Sequence, residues 1–194
     1  PFMSSRPVEL LKHIQRTGDI SQLQVQSNTN GSIKPNDELV DLWRQSKSVE
    51  IYFSIDAVGR AFNYIRNPLS WEEVEQNVNF VKSLGNNIHV KIAPVVGVHN
   101  IDNFLDTYQW FSTLGLPKDA LCIHRCWGAL DLANASESLK KVWRKKLKNE
   151  PWADPLLSMI QDTGATNDVS WIRWLNIIDQ RSEEHTSELQ PRGL

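Results

Sequence analysis

Four strand-like runs alternate along this chain with amphipathic helical segments, and this alternation limits the fold more than any other feature. The runs are 23–26, 49–55 (VEIYFSI), 88–98 (IHVKIAPVVGV) and 121–127, rich in the β-branched and aromatic residues that suit a pleated surface. Pro94 and Gly97 are expected to disturb the far end of the third. The first helix opens near Pro7, carries Leu10, Leu11 and Ile14 on one stripe and stops at Gly18. Asn36 is placed to cap a helix bearing Leu39, Leu42 and Trp43 on one face. Ser70-Trp71-Glu72-Glu73 reads as a capping box opening a helix that reaches Leu84 and stops at Gly85. Further helices are predicted over 101–114, 136–148, 155–161 and 167–180. Strands separated by helix-length connections imply a parallel sheet of right-handed βαβ units. Periodicity alone stops at α/β, open sheet or barrel.

Charge and composition remove whole classes. The 194 residues carry 21 Lys+Arg against 23 Asp+Glu, a net charge of -2, which argues against a general polyanion binder and a nucleic-acid partner. Hydrophobic residues at 40% and charged residues at 23% give globular composition. No apolar run is long enough to span a bilayer, and no signal peptide is expected. Two cysteines exclude a disulfide scaffold and suit a reducing, cytoplasmic setting. Walker, GxGxxG and HExxH motifs and paired CxxC sets are all missing from the sequence.

The predicted strand ends are polar, and in parallel α/β folds ligands sit at the carboxyl ends of strands. The first run leads into Asn28, Thr29 and Asn30, the second into Ser54 and Asp56, and the third into His99 and Asn100. Asn-Gly and Asp at such places are also ordinary turn formers. Cys122 and Cys126 lie four apart in a strand-like run, about 13 Å if extended, too far for one cluster edge or a disulfide, so no metal ligand is predicted. His13, His89 and His99 read as packing or surface positions. The basic run Lys140, Lys141, Arg144, Lys145, Lys146 and Lys148 reads as a solvated helix face.

ELLKHIQ, NTNGS, VEIYFSIDAVGRAFNYIR, a Trp-started helix and IHVKIAPVV, in that order, resemble the radical S-adenosylmethionine enzymes, in the branch with SPASM or twitch domains. Ser54-Ile55-Asp56 falls where that family has S-[IL]-D-[GA], Asn28-Thr29-Asn30-Gly31 where it has T-[TN]-N-G, and Phe62 to Arg66 resembles its F-x-x-I-R segment. Trp171-Ile172-Arg173-Trp174 with Ile178-Asp179 resembles a late twitch-branch helix. The resemblance implies a partial (β/α) TIM-type barrel with parallel strands over 1–150 and extra C-terminal helices over 151–180. It implies S-adenosylmethionine and a [4Fe–4S] cluster as cofactors, hydrogen abstraction through a 5′-deoxyadenosyl radical, a flavodoxin or ferredoxin as reductant, and peptides or proteins among the substrates. Ser54 and Asp56 would contact the cofactor's ribose or methionine part, Thr29 and Asn30 would line the same mouth with Asn100, and Arg66 would pair the methionine carboxylate. Val25, Phe53 and Ile92 would line the barrel.

The family's CxxxCxxC loop is absent, and Pro1-Phe2-Met3 resembles the tail of its G-G-E-P motif. The expectation is therefore a fragment whose cluster ligands lie upstream, inactive alone and binding the cofactor weakly. RSEEHTSELQ, residues 181–190, resembles a translated sequencing-library adapter, and 181–194 is expected to be a non-native tail. Two other readings stay open: a barrel hydrolase or lyase using Asp56 and His99 as acid and base, and a non-catalytic barrel binding module.

Overall fold

The structure, a computed structural model, describes residues 6–161. The helix expected over 167–180 and the tail over 181–194 lie outside the described residues. In chain order the main elements are α1 (Arg6–Thr17), β1 (Gln24–Thr29), α2 (Asp37–Gln45), β2 (Ser48–Phe53), α3 (Gly59–Ile65), α4 (Trp71–Leu84), β3 (Ile88–Ile92), β4 (Val95–Val96), α5 (Phe104–Thr113), β5 (His124–Arg125), α6 (Glu137–Leu147) and α7 (Asp154–Gln161). The result is a mixed α/β fold with parallel strands in small sheets. Among the described residues no closed barrel forms, and no helix is long and apolar enough to cross a membrane.

The described residues divide into two compact units, one of 6–55, 69–94 and 111–122, the other of 56–68, 95–110 and 123–161. In the first, β1, β2 and β3 form a parallel sheet in sequential order. Its register sets Val25 beside Val49, Val49 beside Ile88, and Phe53 beside Ile92. β2 and β3 alternate strictly, with Val49, Ile51, Phe53, Ile88, Val90 and Ile92 buried and the residues between them more exposed. Helices cover the buried face: a side chain on Gly31 would meet both Val74 of α4 and Phe53, and Leu11 of α1, Trp43 of α2 and Val25 line one cleft. The expectation was that Phe53 and Ile92 line the barrel interior; here they face the helices instead. They belong to the helix-packed layer and are fully buried. The opposite side of β2 and β3 carries Glu50, Tyr52, His89 and Lys91.

The third predicted strand is broken. β3 stops at Ile92 and β4 resumes at Val95, because Pro94 has no N–H and restricts the residue before it. The predicted fourth strand shrinks accordingly: Leu121 makes a single parallel bridge to Ile92.

In the second unit, β4 and β5 form a two-residue parallel ladder. Beside it Val96, Ile101, Phe104, Leu132, Trp143, Leu147, Leu156 and Ile160 form one buried cluster. Trp152 stacks on Tyr108 with centroids 4.5 Å apart. Ser136 caps α6 by accepting from Leu139 N. Lys140, expected on the solvated face of this helix, is instead buried and paired with Glu137 at 3.4 Å.

Candidate functional site

The expected site residues fall in both units. In the first, Thr29 ends β1 and is buried, and its Oγ1 accepts from Gly31 N at 3.1 Å. Asn30 is exposed and closes the next turn, its Oδ1 accepting from Ser32 N at 3.2 Å and Ser32 Oγ at 2.9 Å. Gly31 O accepts from Asn77 Nδ2 at 2.7 Å, which ties the turn to α4. Ser54 follows β2, and its N–H donates to Thr29 O at 2.8 Å. Thr29 and Ser54 are thus neighbours at the carboxyl ends of β1 and β2. Ser54 is half-buried, and among the described residues its hydroxyl has no partner.

In the second unit a buried hub surrounds Asp56. Its Oδ1 accepts from Val95 N at 2.8 Å, and its Oδ2 pairs with Arg66 Nη2 at 2.5 Å. Asn100, almost fully buried, donates from Nδ2 to Asp56 O and to Val95 O, each at 2.9 Å, while its Oδ1 accepts from Gly97 N at 2.8 Å. One asparagine thereby satisfies three backbone groups on two segments and holds the peptide of Asp56 in place. Arg66 is placed by the end of α3, where its own N–H donates to Phe62 O.

Among the described residues, Arg66 Nε and His99 Nδ1 are buried side-chain atoms without a hydrogen-bond partner. Burial pushes the His99 imidazole below its ordinary value of 6.5; the Asp56 carboxylate opposes that shift and the Arg66 guanidinium reinforces it. Sequence reasoning singled out Asp56, Arg66 and Asn100 for the cofactor, and read His99 as packing or surface or, in the hydrolase or lyase alternative, as the acid–base partner of Asp56. The adjacency of His99 to Asn100 at the end of the third run was the available signal.

Both cysteines are free and partly buried, and burial raises both thiols. Among the described residues no group of three or more His, Cys, Asp or Glu side chains is placed to hold a metal ion. A [4Fe–4S] cluster, which needs such a set, does not fit these residues. Compared with known proteins, the chain matches no family model, no curated protein and no solved structure.

Proposed function

We propose that this chain is part of the barrel of a radical S-adenosylmethionine enzyme and that its second unit binds the methionine end of that cofactor. One observation carries the reading: among the described residues Arg66 Nε is a buried donor without a partner, on a guanidinium whose other end is fixed by Asp56. A buried donor left unmet costs about 1–3 kcal/mol, so the position favours an acceptor supplied from outside. A carboxylate accepts from guanidinium more strongly than any neutral group, and the cofactor's methionine end carries one. Asp56 orients Arg66 for that contact, and Asn100 anchors Asp56. The chemistry the cofactor supplies is hydrogen abstraction by its 5′-deoxyadenosyl group. No described residue holds the cluster, so no step is derived through it. A peptide or protein substrate and a flavodoxin or ferredoxin reductant belong to the same proposal. The acid–base alternative gains less, because both Asp56 oxygens are already engaged.

The test is the carboxylate. Saturation-transfer NMR on the full chain should show S-adenosylmethionine binding more tightly than 5′-methylthioadenosine, which lacks the amino-acid end. Arg66→Gln should remove that preference. Equal binding of the two nucleosides, or a full reading frame for the gene with no CxxxCxxC, overturns the proposal.

A further inference from the structure

The first unit's sheet has a second face that the cofactor reading does not use. All-parallel sheets are ordinarily covered on both faces, yet within this unit the second face carries ionisable side chains. The register sets Gln26 beside Glu50, Glu50 beside His89, and Tyr52 beside Lys91. Gln26 Nε2 donates to Glu50 Oε2 at 2.8 Å, and Tyr52 Oη donates to the same oxygen at 2.9 Å. Among the described residues Oε1 has no partner. Lys91 Nζ donates to Asp119 Oδ2 at 2.9 Å and to Asp119 O at 3.4 Å. An ammonium has three donors, so one N–H of Lys91 remains. The bonds from Tyr52 and Gln26 hold the Glu50 carboxyl below its ordinary range, and the bond to Asp119 holds the Lys91 amine above its own. Both groups are charged near neutral pH and fixed by neighbours before any ligand arrives.

Beside them opens a cleft of about 340 Å³, lined by Glu50, Lys82, His89, Lys91, Pro117 and Asp119 among others. That size lies at the small end of ligand sites. Its lining holds two carboxylates and two lysines. A bare cation entering it meets Lys82 and Lys91, and a phosphate or other bare anion meets Glu50 and Asp119. A molecule carrying both charges avoids both penalties and satisfies both open positions. Glu50 and Lys91 stand diagonally across the parallel strands β2 and β3, two residues apart in register, a separation of about 8 Å between backbones from strand spacing and rise that side chains and a small ligand bridge.

We propose that this cleft binds a free α-amino acid, its ammonium on Glu50 Oε1 and its carboxylate on the remaining N–H of Lys91. None of Thr29, Asn30, Ser54, Asp56, Arg66 or Asn100 takes part, so this proposal and the cofactor reading stand or fall separately. Saturation-transfer NMR on the full chain tests it, with L-alanine and L-glutamine as probes and N-acetyl-L-alanine and L-alaninamide as capped comparators. Saturable binding of the free amino acids is expected, with each capped form about tenfold weaker for the loss of one charge-assisted bond. Glu50→Gln should erase the discrimination against N-acetyl-L-alanine, and Lys91→Met the discrimination against L-alaninamide, both with unchanged circular dichroism. The proposal is overturned if free and capped forms bind alike, if neither amino acid saturates below about 50 mM, or if the two variants discriminate as the parent does.

Discussion

Gly31 shows how much one residue of the turn after β1 decides. It sits at φ 77, and an added Cβ would lie 2.9 Å from Val74 Cγ1 and 3.1 Å from Phe53 Cδ1. Gly31→Ala is therefore strained in its backbone and crowded against two buried side chains. A loss of about 1–3 kcal/mol is expected, read as a lower urea midpoint; an unchanged midpoint would mean that Val74 and Phe53 yield freely. His99 makes the second residue-scale prediction. Its folded pKa is depressed, so the unfolded chain binds the proton more readily and stability rises with pH. His99 therefore costs nothing well above its ordinary 6.5, and the cost grows as pH falls from that value toward the lower folded one. His99→Gln should flatten the loss of melting temperature between neutral and mildly acidic pH; parallel curves for parent and variant would refute the assignment. The Asn-Thr-Asn-Gly turn was readable from residue types alone. The environment of His99 was not, because its neighbours come from segments more than thirty positions away in sequence.

At the scale of elements, the sequence spoke through its caps. Asn36 Oδ1 accepts from Leu39 N at 2.9 Å at the predicted start of α2, and α4 ends at Gly85 with φ 58. Asn36→Ala should cost about 1 kcal/mol, seen as a lower thermal midpoint with the same fold; no change would show that water replaces the cap. The box at Ser70 formed by a different route. Ser70 Oγ accepts from Glu73 N at 3.4 Å, as expected, but its hydroxyl donates to Glu72 Oε2 at 2.8 Å. α3 escaped notice because it has no side-chain cap, begins at a glycine and buries only Phe62. β1 runs on to Thr29 rather than ending at 26, since pairing with β2 holds Asn28 and Thr29 extended although both are turn formers. Period-two alternation in β2 and β3 was present in the sequence, but it cannot say which face the helices will take. That choice left Glu50, Tyr52 and Lys91 unrecognised and assigned Phe53 and Ile92 to the wrong surface.

For the molecule as a whole, the outer edge of β1 governs behaviour in solution. Leu23 O accepts from Lys47 N, and Thr29 O from Ser54 N, so the odd-numbered residues of this strand bond toward β2. By the alternation of a strand, the backbone groups of Gln24, Gln26 and Asn28 point the other way, and among the described residues no strand pairs there. Open edges are normally protected by lysine, proline or a bulge. QVQSNT has neither lysine nor proline, and with a net charge of -2 the chain has little general repulsion to keep copies apart. In the proposed barrel this edge is where a further strand would pair. Without one, edge-to-edge association is expected, rising with protein concentration. Gln24 is exposed, and its side chain makes no hydrogen bond among the described residues, so Gln24→Lys places a charge on the edge at little cost to folding. Light scattering across a concentration series should show less association for Gln24→Lys than for the parent, with melting temperatures that agree within the small spread typical of surface substitutions. Equal association of the two proteins would show that another surface drives it and that the β1 edge is not available for pairing.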